Sequence, residues 1–144
     1  MKHERGYTLI ETLITLSLLS ILTLLPLLGF QNIRERHEAN YIAWQLKQDY
    51  MIAQHAAMSR GEMVSLRTSS NSYHIRLLNG SSYMHRSYAT SDMSIWPRTL
   101  TGNFVSFNKN GNPRYSGTVL LRTHNREFLY VIHLGKGRIR YSEI

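Results

Sequence analysis

One carboxylate interrupts an otherwise uncharged run from Gly6 to Ile33, and it sits near the start, in Gly6-Tyr7-Thr8-Leu9-Ile10-Glu11. A carboxylate inside a membrane-spanning segment costs roughly 2.5–3.5 kcal/mol on insertion scales, and in a helical bundle it faces a partner. The chemistry expected of Glu11 is therefore ion pairing. Other reactive groups are scattered. The seven histidines, His3, His37, His55, His74, His85, His124 and His133, form no H-E-x-x-H and no helical i, i+4 pair, so no metal site is expected. Gly135-Lys136-Gly137 lacks the spacing and the following Ser or Thr of a phosphate loop and is read as a turn. The remaining acidic residues are few, and no two are placed for general acid and base work. There is no cysteine, which excludes disulfides and thiolate ligands. The chain is expected to be no enzyme and to need no cofactor.

The elements that hold Glu11 follow from length and hydropathy. The chain has 144 residues, enough for one modest domain plus an anchor. Tyr7 to Phe30 would span ~36 Å as a helix, against a hydrocarbon core of ~30 Å. Lys2 and Arg5 precede it and favour an N-terminus inside and a C-terminus outside. A cleaved secretory signal is a poor explanation, because the run is too long and Pro26-Leu27-Leu28-Gly29-Phe30 lacks a small-x-small site. A plain signal anchor accounts for the length but leaves Gly6 and Glu11 unexplained. Pro26 removes one helical hydrogen bond and clashes with the preceding turn, at a cost of ~3 kcal/mol. It marks a kink, a helix end at Gly29 or a locally melted helix.

A short charged leader, then Gly6, an aromatic residue, Thr8, two apolar residues and Glu11, then a long apolar run: this arrangement resembles the processing site of type IV prepilins and pseudopilins. The resemblance implies that a prepilin peptidase cuts between Gly6 and Tyr7 on the cytoplasmic side. It implies N-methylation of the new N-terminus, Tyr7, where the family more often has Phe. Glu11 lies one helical turn from Tyr7. The family's carboxylate at this place pairs with a terminal amine, often that of an adjacent subunit, during assembly. A charge held in apolar surroundings should seek an opposite charge, so the physics agrees.

Beyond the apolar run, Gln31 to Ser59 reads as a continuing helix. Ile42, Leu46, Tyr50, Ala53 and Ala57 recur at steps of three and four, and Ala39 and Ala43 widen the stripe. Arg60-Gly61 is a stop signal. From Glu62 the period becomes two. Strands are expected at Met63–Arg67, Ser72–Leu78 and Ser81–Tyr88, with Asn79-Gly80 as a hairpin turn. Thr90–Thr101 reads as irregular, and Pro97 restricts any strand there to an edge. Phe104–Phe107, Thr118–Thr123, Glu127–Leu134 and Arg138–Tyr141 follow as β-rich runs. The expected fold is α+β: a long N-terminal helix, half anchor and half amphipathic, packed on a small antiparallel β-rich head. The divisions are 1–6 leader, 7–30 anchor and filament core, and 31–144 head, with helix 31–59 and β-rich 62–141.

Two further stretches resemble particular relatives. Residues 104–113, Gly117-Thr118-Val119 and Leu134 to Ile139 are similar to the GspH-like head of minor pseudopilins. Gln45 to Asp49 with Ala57 to Arg60 is similar to the helix of the ComGD family of minor pilins in Gram-positive competence pili. This implies a minor pseudopilin, incorporated into or priming a filament used for DNA uptake in transformation. Its partners would be other pilins, the prepilin peptidase and the membrane. Its place would be the cytoplasmic membrane and then the cell surface. A GspH-like pseudopilin of a type II secretion system is the alternative within the same architecture. A membrane-anchored DNA-binding receptor that does not polymerise is the alternative outside it.

The net charge is +8, with 17 Lys and Arg against 9 Asp and Glu. Lys2, Glu4, Arg5 and Glu11 balance, so the excess sits on residues 31–144. A basic exported domain attracts nucleic acid, anionic wall polymer or lipid headgroups. Arg114, Arg122, Arg126, Lys136, Arg138 and Arg140 crowd into the C-terminal third with Tyr115 and Tyr141 nearby, and are the candidate DNA contacts. The competing reading of these six is a solvated strand face or a surface packed on other pilins.

Overall fold

Helix α1 covers Leu9–Leu27 and helix α2 covers Phe30–Arg60. The computed structural model describes residues 7–27, 30–135 and 138–144. Residues 1–6, with the expected leader and Gly6, lie outside the described residues, as do Leu28, Gly29, Lys136 and Gly137. Thr8 starts α1: its Oγ1 accepts the Glu11 N–H at 3.3 Å, as a capping hydroxyl does. The helix ends one residue past Pro26. Among the described residues no helix is long and apolar enough to cross a membrane. At 1.5 Å per residue, α1 rises ~28 Å. The expected 7–30 segment runs beyond both its ends.

The chain divides into two units, one up to His37 and one from Glu38 onward. In the first, Thr12, Thr15, Ser17, Ser20 and Thr23 each donate a hydroxyl to a carbonyl one turn back, at 2.7–2.9 Å. These side chains satisfy themselves within the helix. The apolar side chains described along α1 are exposed on every side.

In the second unit, the stripe Ala39, Ile42, Ala43, Leu46, Tyr50, Ala53 and Ala57 is buried, as helical spacing requires. Gly61, with φ +66°, closes α2 in the left-handed conformation usual after a helix end. Eight strands follow: β1 Val64–Thr68, β2 Ser72–Leu77, β3 Ser82–Ser87, β4 Ser94–Pro97, β5 Phe104–Phe107, β6 Gly117–Thr123, β7 Arg126–Ile132 and β8 Ile139–Glu143. They form two antiparallel sheets, β3-β2-β1-β5 and β4-β6-β7-β8. Leu66, Ile75 and Phe107 from the first sheet and Leu121, Phe128 and Tyr130 from the second share one core with the helix stripe. Alternation along each strand puts one face of each sheet on this core.

The stretch 90–101 is more ordered than expected. It contains β4, which pairs with β6 at the border of the second sheet, where a proline without an N–H is tolerated. The β6–β7 turn is also new. His124 and Asn125 both adopt positive φ, 49° and 56°, which makes a tight two-residue hairpin turn. His124 is an unusual residue for it, and Asp92 Oδ2 steadies it by accepting the His124 N–H at 2.6 Å. The Asn108–Asn112 turn is pinned to α2. Gln54 Nε2 donates to the Gly111 carbonyl at 2.8 Å. Gly111 has φ +75°, and a Cβ there would meet Met58 Sδ at 2.7 Å, so both conformation and space demand glycine.

Candidate functional site

Glu11 occupies the third position of α1, beside the unpaired N–H groups and partial positive charge of the helix start. Its backbone N–H completes the Thr8 cap, which leaves its carboxylate available for another charge. Tyr7, the expected new N-terminus, is 84% exposed. Gly6 on the other side of the expected cut lies outside the described residues. Pro26 is the penultimate residue of α1, and residues 28–29, where a kink or break would fall, are likewise outside them.

The outward face of α2 in the second unit carries large apolar side chains among polar ones. Tyr41 and Trp44 are 58% and 49% exposed, with ring centroids 6.1 Å apart. Met51 and Met58 follow Trp44 on this face at steps of seven, and Ile52 is exposed beside them. Ile52, His55 and Met58 also border an open groove whose other wall is Tyr83 of β3. Exposed aromatic and Met side chains in series are the composition of a protein contact.

A buried charge fastens α2 to the first sheet. Asp49, 1% exposed, accepts the Tyr73 hydroxyl at 2.5 Å and the Arg86 guanidinium through Nε at 2.8 Å and Nη2 at 3.1 Å. Burial, and then the bond to Asp49, push the Tyr73 phenol well above its ordinary range. The hydrogen bond to Asp49 raises Arg86 further. In the sequence Asp49 is one of the sparse acids and the end of the stretch from Gln45 to Asp49, with no partner. Its place amid the buried helix stripe, next to Tyr50, was the available signal.

The five described candidate DNA contacts do not form one cluster. Arg122 pairs with Glu127 at 3.3 Å, and Arg126 pairs with Glu143. Arg138 and Arg140 line a cleft beside His133, Leu134 and Gly135 at the far end of the second sheet. Lys136 lies outside the described residues. Arg114 belongs elsewhere: its N–H donates to Ser106 of β5 at 2.8 Å, and its guanidinium stacks near Tyr115 at 5.6 Å. It therefore flanks the first sheet. There it joins residues that sequence reading passed over: Arg67, His74, Arg76, His85 and Phe104. Burial, then the charges of His85 and Arg76, hold the His74 imidazolium below its ordinary range.

Comparison with known proteins bears on the whole chain. A family profile described as the prokaryotic N-terminal methylation motif matches residues 1–25. The competence protein ComGD of Bacillus subtilis (strain 168) is 31% identical over 139 residues, covering 96% of this chain and 94% of that protein. The chain belongs to the ComGD family. Its fold is that of a minor pilin: the crystal structure of the type IV minor pilin FimU of Pseudomonas aeruginosa (strain PAO1) superposes with a TM-score of 0.62. That likeness covers 75% of this chain and 90% of FimU at 18% identity. The α+β architecture, the methylation motif and the ComGD relation together make it a competence pseudopilin.

Proposed function

We propose that the chain is cut between Gly6 and Tyr7 by a prepilin peptidase, held in the cytoplasmic membrane by its apolar N-terminal helix, and built into a filament that carries DNA to the cell. The observation that carries this reading is α1 itself. Its described apolar side chains are exposed on every side, its hydroxyls are satisfied internally, and its one carboxylate lies four residues from the expected new terminus. Such a helix suits lipid and then the inside of a filament, since neither offers water to polar groups. The exposed Tyr41, Trp44, Met51 and Met58 of α2 supply a second contact for neighbouring pilins. The role is structural rather than catalytic.

Near-full-length similarity to a competence protein favours this machine over a type II secretion pseudopilus. Filaments sheared from competent cells should contain the chain, and its deletion should lower transformation by at least about tenfold. A protein that stays wholly in the membrane fraction while binding DNA there would instead be an anchored receptor.

A further inference from the structure

The first sheet turns Leu66, Ile75 and Phe107 onto the core, and its other face carries two cross-strand rows. In one, His85 pairs with His74, His74 with Arg67, and Arg67 with Phe104. In the next, Arg76 pairs with Ser65, Ser65 with Ser106, and the Arg114 backbone bonds to Ser106. The register places all of these side chains on the face turned from the core. The planar groups are already associated. The His74 and His85 ring centroids are 4.5 Å apart, and the Arg67 guanidinium lies 4.8 Å from the Phe104 centroid. None of β1, β2, β3 and β5 contains Asp or Glu. Arg86, the remaining cation of these strands, is engaged with Asp49 on the core side.

We propose that this outer face of β3-β2-β1-β5 binds single-stranded DNA, with Arg67, Arg76 and Arg114 on phosphates and Phe104, His74 and His85 as a platform for bases. The proposal rests on the reading of the chain as part of a DNA-uptake filament, and adds which surface meets the nucleic acid. Guanidinium groups present several donors in a fixed fork that fits a phosphate. Rings displayed on a flat sheet stack on unpaired bases, whose π-faces a duplex keeps covered. An anionic wall polymer without bases would satisfy the arginines and leave the platform unused, so the combination favours a nucleic acid. The second sheet is less suited, because two of its arginines are already paired with Glu127 and Glu143.

The test uses the full chain in detergent micelles and a labelled oligonucleotide, read by fluorescence anisotropy across a salt series. The combined R67Q/R76Q/R114Q variant should bind single-stranded DNA at least about tenfold more weakly. Its log-affinity against log-salt slope should fall by about 2, as loss of three single-strand phosphate contacts implies. Phe104→Leu should weaken binding about fivefold or more with the slope unchanged. R138Q/R140Q should stay within about twofold of the unaltered chain, since single-strand affinity is assigned to the other sheet. Unchanged affinity in the triple variant would overturn the proposal. So would tighter binding of the matching duplex, or equal displacement by a wall teichoic acid. The amount of each variant in sheared filaments separates the two readings. Normal filament content with unchanged affinity defeats this surface and leaves the pilin reading standing. Absence of the unaltered chain from filaments defeats the pilin reading, while the affinities still decide the surface.

Discussion

Glu11→Ala is expected to leave the cut after Gly6 intact and to lower the protein's content in filaments by at least about tenfold. The two effects separate because different parts of Glu11 serve them. Its backbone N–H closes the Thr8 cap and is unchanged in the variant, so α1 should still start at the same place. Its carboxylate is the only charge on α1 and the natural partner for the ammonium that cutting creates on Tyr7. Buried without that partner, an ammonium keeps a desolvation penalty of several kcal/mol. Each ~1.4 kcal/mol is a factor of ten in an equilibrium, so a tenfold loss of incorporation is a lower bound. Quantitative blotting of sheared filaments, beside total membrane protein, reads the result. Normal filament content in the variant would remove Glu11 from assembly.

Arg86→Ala should destabilise the head by about 3 kcal/mol, toward the lower end of the ~3–5 kcal/mol typical of breaking a buried pair. Asp49 would keep its charge in a site 1% exposed, with the Tyr73 hydroxyl as its remaining partner. The estimate is held low because the Arg86 side chain is itself 35% exposed and water already reaches that end of the pair. Removing the whole network, in D49L/Y73F/R86L, should recover much of the loss, because it leaves neither an unpaired ion nor an unpaired Tyr73 hydroxyl behind. Urea unfolding of the full chain in micelles, followed by tryptophan fluorescence, distinguishes the variants. A loss below about 0.5 kcal/mol in Arg86→Ala would mean that the pair is solvated. A triple variant no more stable than Arg86→Ala would mean that lost packing, and not the unpaired Asp49 charge, accounts for the loss.

Features written in local spacing were legible before the structure. The Gly6–Glu11 pattern, the buried stripe from Ala39 to Ala57, the Asn79-Gly80 hairpin and most strands depend on residues within a few positions of one another. Features that depend on register were not. Arg67, His74, His85 and Phe104 come from four separate strands, and only the pairing of β3-β2-β1-β5 brings them into one row. Proximity in sequence grouped Arg114 with Arg122, yet the fold sends them to different sheets. The stripe along the expected helix Gln31–Ser59 marks one apolar face. Tyr41, Trp44 and Met51 lie outside that stripe, mixed with polar residues, so their exposure has no periodic signal in the sequence. Asp49 was missed because a carboxylate amid apolar neighbours becomes intelligible only when Arg86, far along the chain, is seen to reach it.

The most direct test of the account is the N-terminus of the mature protein, determined by mass spectrometry from cells with and without the prepilin peptidase. The account predicts a chain that begins at Tyr7, carries an N-methyl group, and keeps its leader when the peptidase is absent. A chain that still begins at Met1 in peptidase-containing cells, or one cut near Gly29, would contradict it.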